Sequence, residues 1–331
     1  MIGYIVRRLV SSFLVIVLTS MVVFALFFLG PTDAAQVLCQ KQGRCTAERA
    51  ATLAESLGLN DSVVNQYGLF AKGLFVGRDV TYGSATYKCP APCLGVSFIT
   101  REPVTEIMTK RFPATLSLAL GGAAIYLTLG VILGVIAARF RGSSVDRGLV
   151  TVSLLVSSIP YYIVALLVYL QFVTQWGLFQ NVGYNAFLSN PWTWATGLLL
   201  PWLALGITGC TAYARYSRGA MVETLNEDYV RTATAKGVRA RQVVLKHALR
   251  AAIVPIITIF GLDFAYLLAG TIFTEKIFQI DGIGNKALTS IFAFDFPVIQ
   301  GTVLFGAVII VTANLVVDVL YSVIDPRVRL G

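Results

Sequence analysis

Six apolar runs, at about 9–29, 113–138, 149–173, 195–213, 251–273 and 299–323, constrain this chain more than any other feature. A bilayer core about 30 Å thick is crossed by about 20 apolar residues in a helix. Within it, a helix keeps its backbone N–H and C=O groups paired inside its own segment. The runs therefore predict an all-α polytopic membrane protein with six transmembrane helices and both termini on one side. Composition agrees: 13% of the 331 residues are charged, against about 25% in soluble domains.

The short loops orient these spans, because Lys and Arg collect on the cytoplasmic side. Arg7 and Arg8 precede span one; Arg139, Arg141 and Arg147 separate spans two and three. Arg215, Arg218, Arg231, Lys236, Arg239, Arg241, Lys246 and Arg250 separate four and five, and Arg327 and Arg329 end the chain. All fall on one side, the cytoplasm, whereas 174–194 has no Lys or Arg. The net charge of +9 is thus a topology signal and requires no nucleic acid. Three regions follow: 1–30, with an uncleaved first span; an extracytoplasmic loop, 31–112; and a core of five spans, 113–331, with a cytoplasmic loop at about 214–250.

Cys39, Cys45, Cys89 and Cys93 all lie in the outer loop, where an oxidising compartment favours disulfides. Two bridges are expected, with three connectivities open. C-x5-C and C-x3-C are not usual zinc spacings, and no metal is expected. Cys210, alone in span four, reads as a small buried hydrophobe. The Asn60 sequon matters only in a glycosylating host.

Catalytic constellations are scarce. His247, the single histidine, sits in a basic helical pattern and reads as a surface or interface residue. There is no G-x-x-x-x-G-K-[ST] phosphate loop, and the short G-I-G at Gly282 reads as a turn before a helix. No internal repeat of the kind secondary transporters carry is evident.

"NEDYVRTATAKG", Asn226 to Gly237, stands out as a short charged helix between two apolar spans. Asn226 suits an N-cap, and Glu227 and Asp228 place negative charge in the first turn. Lys236 closes the last turn, and Gly237 suits the left-handed residue that ends a helix. A helix of about ten residues is marginal alone. Tyr229, Val230 and Ala233 give it a small contact face, and the small Ala233 and Ala235 allow close approach of another protein.

Here the residues carry a resemblance. "EDYVRTATAKG" followed by "VVLKHALRAAIVP" resembles the cytoplasmic docking loop of permease subunits of dipeptide and oligopeptide ABC importers. The general loop reads E-A-A-x3-G-x9-I-x-L-P; Arg231, Thr232 and Ala233 occupy the E-A-A positions, Gly237 keeps the glycine, and His247 to Arg250 replace I-x-L-P in the manner of the peptide branch. "YIVRRLVSSFLVI", "SLGLNDSVVNQYGLF", "PVTEIMTKRFPATLSLAL", "SSIPYY" and "DPRVRLG" extend the similarity over most of the chain. "LGPTDAA" and the two cysteine-bearing stretches depart from it. The resemblance implies a type I ABC importer permease fold in a prokaryotic inner membrane and a subunit without catalysis or cofactor of its own. It also implies a second homologous permease, two ATP-binding subunits that hold ATP and Mg, and an extracytoplasmic solute-binding protein. Glu227, Asp228, Tyr229, Arg231, Thr232, Ala233 and Gly237 become the expected ATPase-docking residues. Peptides are the favoured solute, with nickel chelates, glutathione and glycosides as alternatives.

Polar residues within the spans need partners. Asp263 falls near the centre of span five, where an ionised Asp costs roughly 2.5–3.5 kcal/mol. It reads either as a wall of the solute pathway or as a helix-tying carboxyl. Asn314 and Asp318, four residues apart, share a face and read as a structural pair, Asp318 within reach of Arg215 or Arg218. Pro160 and Pro255 can each kink a span. Two rivals remain: a secondary transporter using Asp263 as coupling acid, and a sensor that recruits a partner without transport.

Overall fold

A computed structural model describes residues 2–28, 36, 39–40, 45–56, 62–82, 85–269 and 271–324. Among the described residues the chain is helical apart from one β-hairpin, which the all-α reading did not include. The elements are α1 (Ile2–Phe28), α2 (Ala47–Ser56), α3 (Val63–Val76), β1 (Arg78–Tyr82), β2 (Ala85–Cys89), α4 (Val104–Arg139), α5 (Ser144–Ser158) and α6 (Tyr161–Gln175). They continue as α7 (Pro191–Leu225), α8 (Asp228–Ala235), α9 (Ala240–Ala269), α10 (Ile272–Ile277), α11 (Ile283–Ala293) and α12 (Phe296–Ile324). Among the described residues five helices are long and apolar enough to cross a membrane, and α5 with α6 makes a sixth if the bent pair is one span.

Span three differs from expectation. The sequence reads as one kinked helix, but α5 and α6 meet at 87°. Pro160 offers no N–H and crowds the residue before it. Ile159 accordingly adopts extended backbone, φ −88° and ψ 124°. Pro255, by contrast, lies inside α9 without ending it. The helices α4 and α7, 36 and 35 residues long, run well past the apolar limits read for spans two and four. Hydropathy marks where lipid begins, whereas backbone hydrogen bonding continues until a cap.

Two compact units result. Residues 1–113 with 282–311 form the first. There α3 lies on α1 through Phe24, Tyr67 and Phe70, and Ser20 Oγ and Tyr67 Oη are 2.8 Å apart. The strands β1 and β2 pair antiparallel, Arg78 opposite Cys89, and a Cys89–Cys93 disulfide follows the hairpin. The second bridge joins Cys39 to Cys45, Cα atoms 5.2 Å apart, so both pairings are between nearest cysteines. Asp295, just before α12, accepts hydrogen bonds from Ser97 Oγ and the Phe98 N–H, at 2.5 and 2.9 Å. Burial holds its carboxyl above the usual carboxylate range.

Residues 114–281 with 312–331 form the second unit. Its α4–α7 seam is built on glycine. A Cβ at Gly130 would come within 2.3 Å of Tyr213 Cβ, and one at Gly134 within 2.7 Å of the Ala214 carbonyl. Gly206 of α7 has the reciprocal role, a Cβ there meeting Ile125 at 2.2 Å. Small residues let membrane helices approach backbone to backbone, gaining dispersion contacts where no hydrophobic drive exists.

Candidate functional site

The short helix expected between spans four and five exists, but its N-terminal cap is not Asn226. Asn226 ends α7 instead: its N–H bonds Glu223 O, and its Nδ2 donates to Val222 O at 2.9 Å. An Asn is equally suited to close a preceding helix, and here α7 runs further than hydropathy indicates. Glu227 therefore takes the N-cap position of α8, without a side-chain cap bond. The C-terminus matches expectation. Gly237 has φ +77°, and its N–H bonds Thr234 O while that of Lys236 bonds Thr232 O.

One face of α8 is seated on its own chain. Val230 is buried, and Tyr229 Oη donates to the His247 carbonyl at 3.4 Å on the π-helical turn Val243–Ala248 of α9. Burial and the Glu227 carboxylate raise the Tyr229 phenol above its ordinary pKa, keeping it a neutral donor. His247 serves here through its backbone, as an interface residue. Ala233 is half-buried, on the shoulder of this seat, whereas Asp228, Arg231, Thr232 and Ala235 are exposed at i, i+3, i+4 and i+7 spacing. These four share one outward face. Arg231 Nη1 lies 4.0 Å from Asp228 Oδ1, an exposed contact of little energetic weight.

The second feature is a cavity of about 640 Å³ among α4, the α5–α6 break, α7 and α9. Asp263 is on its wall, half-buried, and accepts a 2.7 Å hydrogen bond from Tyr213 Oη. Tyr213 in turn packs on Tyr126, ring centroids 4.8 Å apart. On the same cavity stand Ser157, Thr211 and Arg215, whose Nη1 donates to Ser157 Oγ at 2.9 Å and to Ser153 O at 3.2 Å. Irregular backbone at membrane depth is tolerated where it lines a cavity, and the Ile159–Pro160 break does so.

Arg215 was missed as a cavity residue because the apolar run ends at 213, which assigns it to a loop; α7 carries it on the wall. Nor does Arg218 wait for Asp318. It makes a two-pronged pair with buried Asp146, at 2.5 and 2.8 Å, and the Gly142 N–H bonds the same carboxylate. The side chain of Asp318 lies outside the described residues, as do Asn60 and the LGPTDAA stretch. Asn314 Oδ1 is buried with no hydrogen-bond partner among the described residues. Cys210 is a buried free thiol, as expected. Among the described residues no three His, Cys, Asp or Glu side chains cluster as metal ligands would.

Residues 130–330 match the family described as binding-protein-dependent transport system inner membrane component, and residues 1–119 match its N-terminal counterpart. The chain belongs to this family. Among relatives of this permease, a peptide transport system permease protein of Brucella abortus is 35% identical over 99% of both chains. A peptide ABC transporter permease protein of Sinorhizobium fredii is 34% identical over 98% of this chain and 99% of its own length. The glutathione transport system permease protein of Escherichia coli K12 is 31% identical over 99% of both. The resemblance read from the docking loop is thus borne out: this is a membrane-embedded permease component of a binding-protein-dependent import system.

Proposed function

We propose that this chain forms half of the translocation pathway of an ATP-driven peptide importer. The observation that carries the reading is α8, a short helix seated on α9 by Val230 and Tyr229 with Asp228, Arg231, Thr232 and Ala235 left bare on the opposite face. That bare face suits a groove on an ATP-binding subunit. The complex would comprise a second homologous permease, two ATP-binding subunits holding ATP and Mg, and an extracytoplasmic solute-binding protein. The chain itself is then non-catalytic, multi-pass in a prokaryotic inner membrane, with cytoplasmic termini. Segments 1–30, 31–112 and 113–331 act as anchor, outer loop and pathway core, and the loop at about 214–250 couples the core to nucleotide.

The names of the relatives support peptides as solute, and the glutathione permease extends that class to a modified tripeptide rather than away from it. Asp263 lines the pathway in this reading, and its bond to Tyr213 holds it there. The sequence expects close approach of a partner at Ala233 and Ala235; with Ala233 half-buried and Thr232 exposed, this reading sets the partner against Thr232 and Ala235. The test is copurification of ATP-binding subunits with the tagged chain. Thr232→Trp should release them and abolish uptake while membrane insertion persists. A Thr232→Trp complex with its ATPase retained and full uptake would show α8 to be a surface helix without a coupling role.

A further inference from the structure

We infer that the 640 Å³ cavity is a binding site for a small zwitterion, with Asp263 taking the ammonium end and Arg215 the carboxylate end. This rests on the importer reading and names the chemistry of its solute. Tyr213 and Arg215 are two residues apart on α7, about 160° apart around the side that carries Gly209, Ala212 and Thr208. The cavity spans that arc: the Tyr213–Asp263 pair forms one wall, the Arg215–Ser157 pair the other. Thr208, Gly209 and Ala212 lie between them, a low floor on which a ligand backbone can rest.

The size fits. Ligand pockets run from about 300 to 1,000 Å³. An extended tripeptide spans about 10 Å. Charge placement fits as well. Asp263 receives Tyr213 on Oδ2 and has no hydrogen bond on Oδ1 among the described residues, and Arg215 uses only Nη1, leaving Nε and Nη2 for a ligand.

Tyr126, 5% exposed, also lines the cavity, and its hydroxyl, beside that of Tyr213, can pair with an amide or ammonium of a bound peptide. A solute without an ammonium and a carboxylate would leave Asp263 Oδ1 and Arg215 Nε and Nη2 unused, so a glycoside fits this cavity poorly.

The test uses the complete importer in nanodiscs without binding protein, so that delivery plays no part, and saturation-transfer NMR with trialanine, N-acetyl-trialanine and trialanine amide. Each cap should weaken binding about tenfold, the equivalent of one charge-assisted hydrogen bond. Asp263→Asn should remove the effect of the acetyl cap alone, and Arg215→Gln that of the amide alone. The wild-type comparison needs no variant to fold. Absence of trialanine binding, or indifference to both caps, overturns the assignment and leaves the importer reading standing if ATP-binding subunits copurify. Failure of copurification sinks the importer reading whatever the cavity binds.

Discussion

Replacing Gly134 by Ala tests the α4–α7 seam with a single methyl group. The added Cβ would lie 2.4 Å from Ser217 Cβ, 2.7 Å from the Ala214 carbonyl oxygen and 2.8 Å from the Arg218 nitrogen. Two of these are backbone atoms of a helix and cannot rotate away, so α7 must retreat by roughly 0.6–1 Å for all three to reach ordinary contact near 3.4 Å. Overpacking of this kind costs about 1–3 kcal/mol, partly offset by the better helix propensity of Ala, about 1 kcal/mol. The net expectation is a loss of up to about 2 kcal/mol. Gly219, further along α7, is the control: a Cβ there meets nothing within 4 Å, so Gly219→Ala should stabilise by up to about 1 kcal/mol. Thermal melting of the detergent-solubilised complex should therefore move in opposite directions for the two variants. A Gly134→Ala protein as stable as wild type would refute the close backbone packing of α4 on α7.

Three further outcomes are expected. Asp146→Ala should destabilise by about 3 kcal/mol, since Arg218 loses its carboxylate partner. The double variant Asp146→Leu/Arg218→Leu should recover much of that, and additive losses in a melting cycle would show the pair to be uncoupled. Mass mapping of unreduced protein should find Cys39 bonded to Cys45 and Cys89 to Cys93, with Cys210 the one thiol open to alkylation after denaturation; a Cys39–Cys89 link would refute the pairing. Gly237→Val forces a β-branched residue into φ +77°, so ATPase coupling should fall while membrane insertion persists, and unchanged coupling would show the end of α8 to be immaterial.

The spans were legible because apolar length is a direct consequence of bilayer thickness. Gly237 was legible because few residues tolerate its backbone. Three features were not, each for a physical reason. Pro160 reads as a kink and is a full break, since what lies beside the freed backbone groups decides, and a sequence does not display a cavity. Asn226 suits the end of one helix as well as the start of the next, so its assignment turned on where α7 stops. Asp146 and Arg218 are 72 positions apart, and no local spacing rule pairs them.

The same overrun of α7 that misplaced Asn226 also joins the two candidate sites. The helix that ends at Leu225 leads directly into α8 and carries Tyr213 and Arg215 within its last four turns. The other neighbour of α8 is α9, through the His247 carbonyl, and Asp263 lies sixteen residues beyond, roughly 24 Å along that helix. A displacement of α8 by an ATP-binding subunit would therefore reach α7 covalently and α9 through the Val230 and Tyr229 seat. These are the two helices joined by the Tyr213–Asp263 hydrogen bond. Under the proposed function, that bond is where unequal movement of α7 and α9 would be felt. It is also one wall of the zwitterion site, so the geometry offered to a peptide's ammonium group would change with the position of the coupling helix.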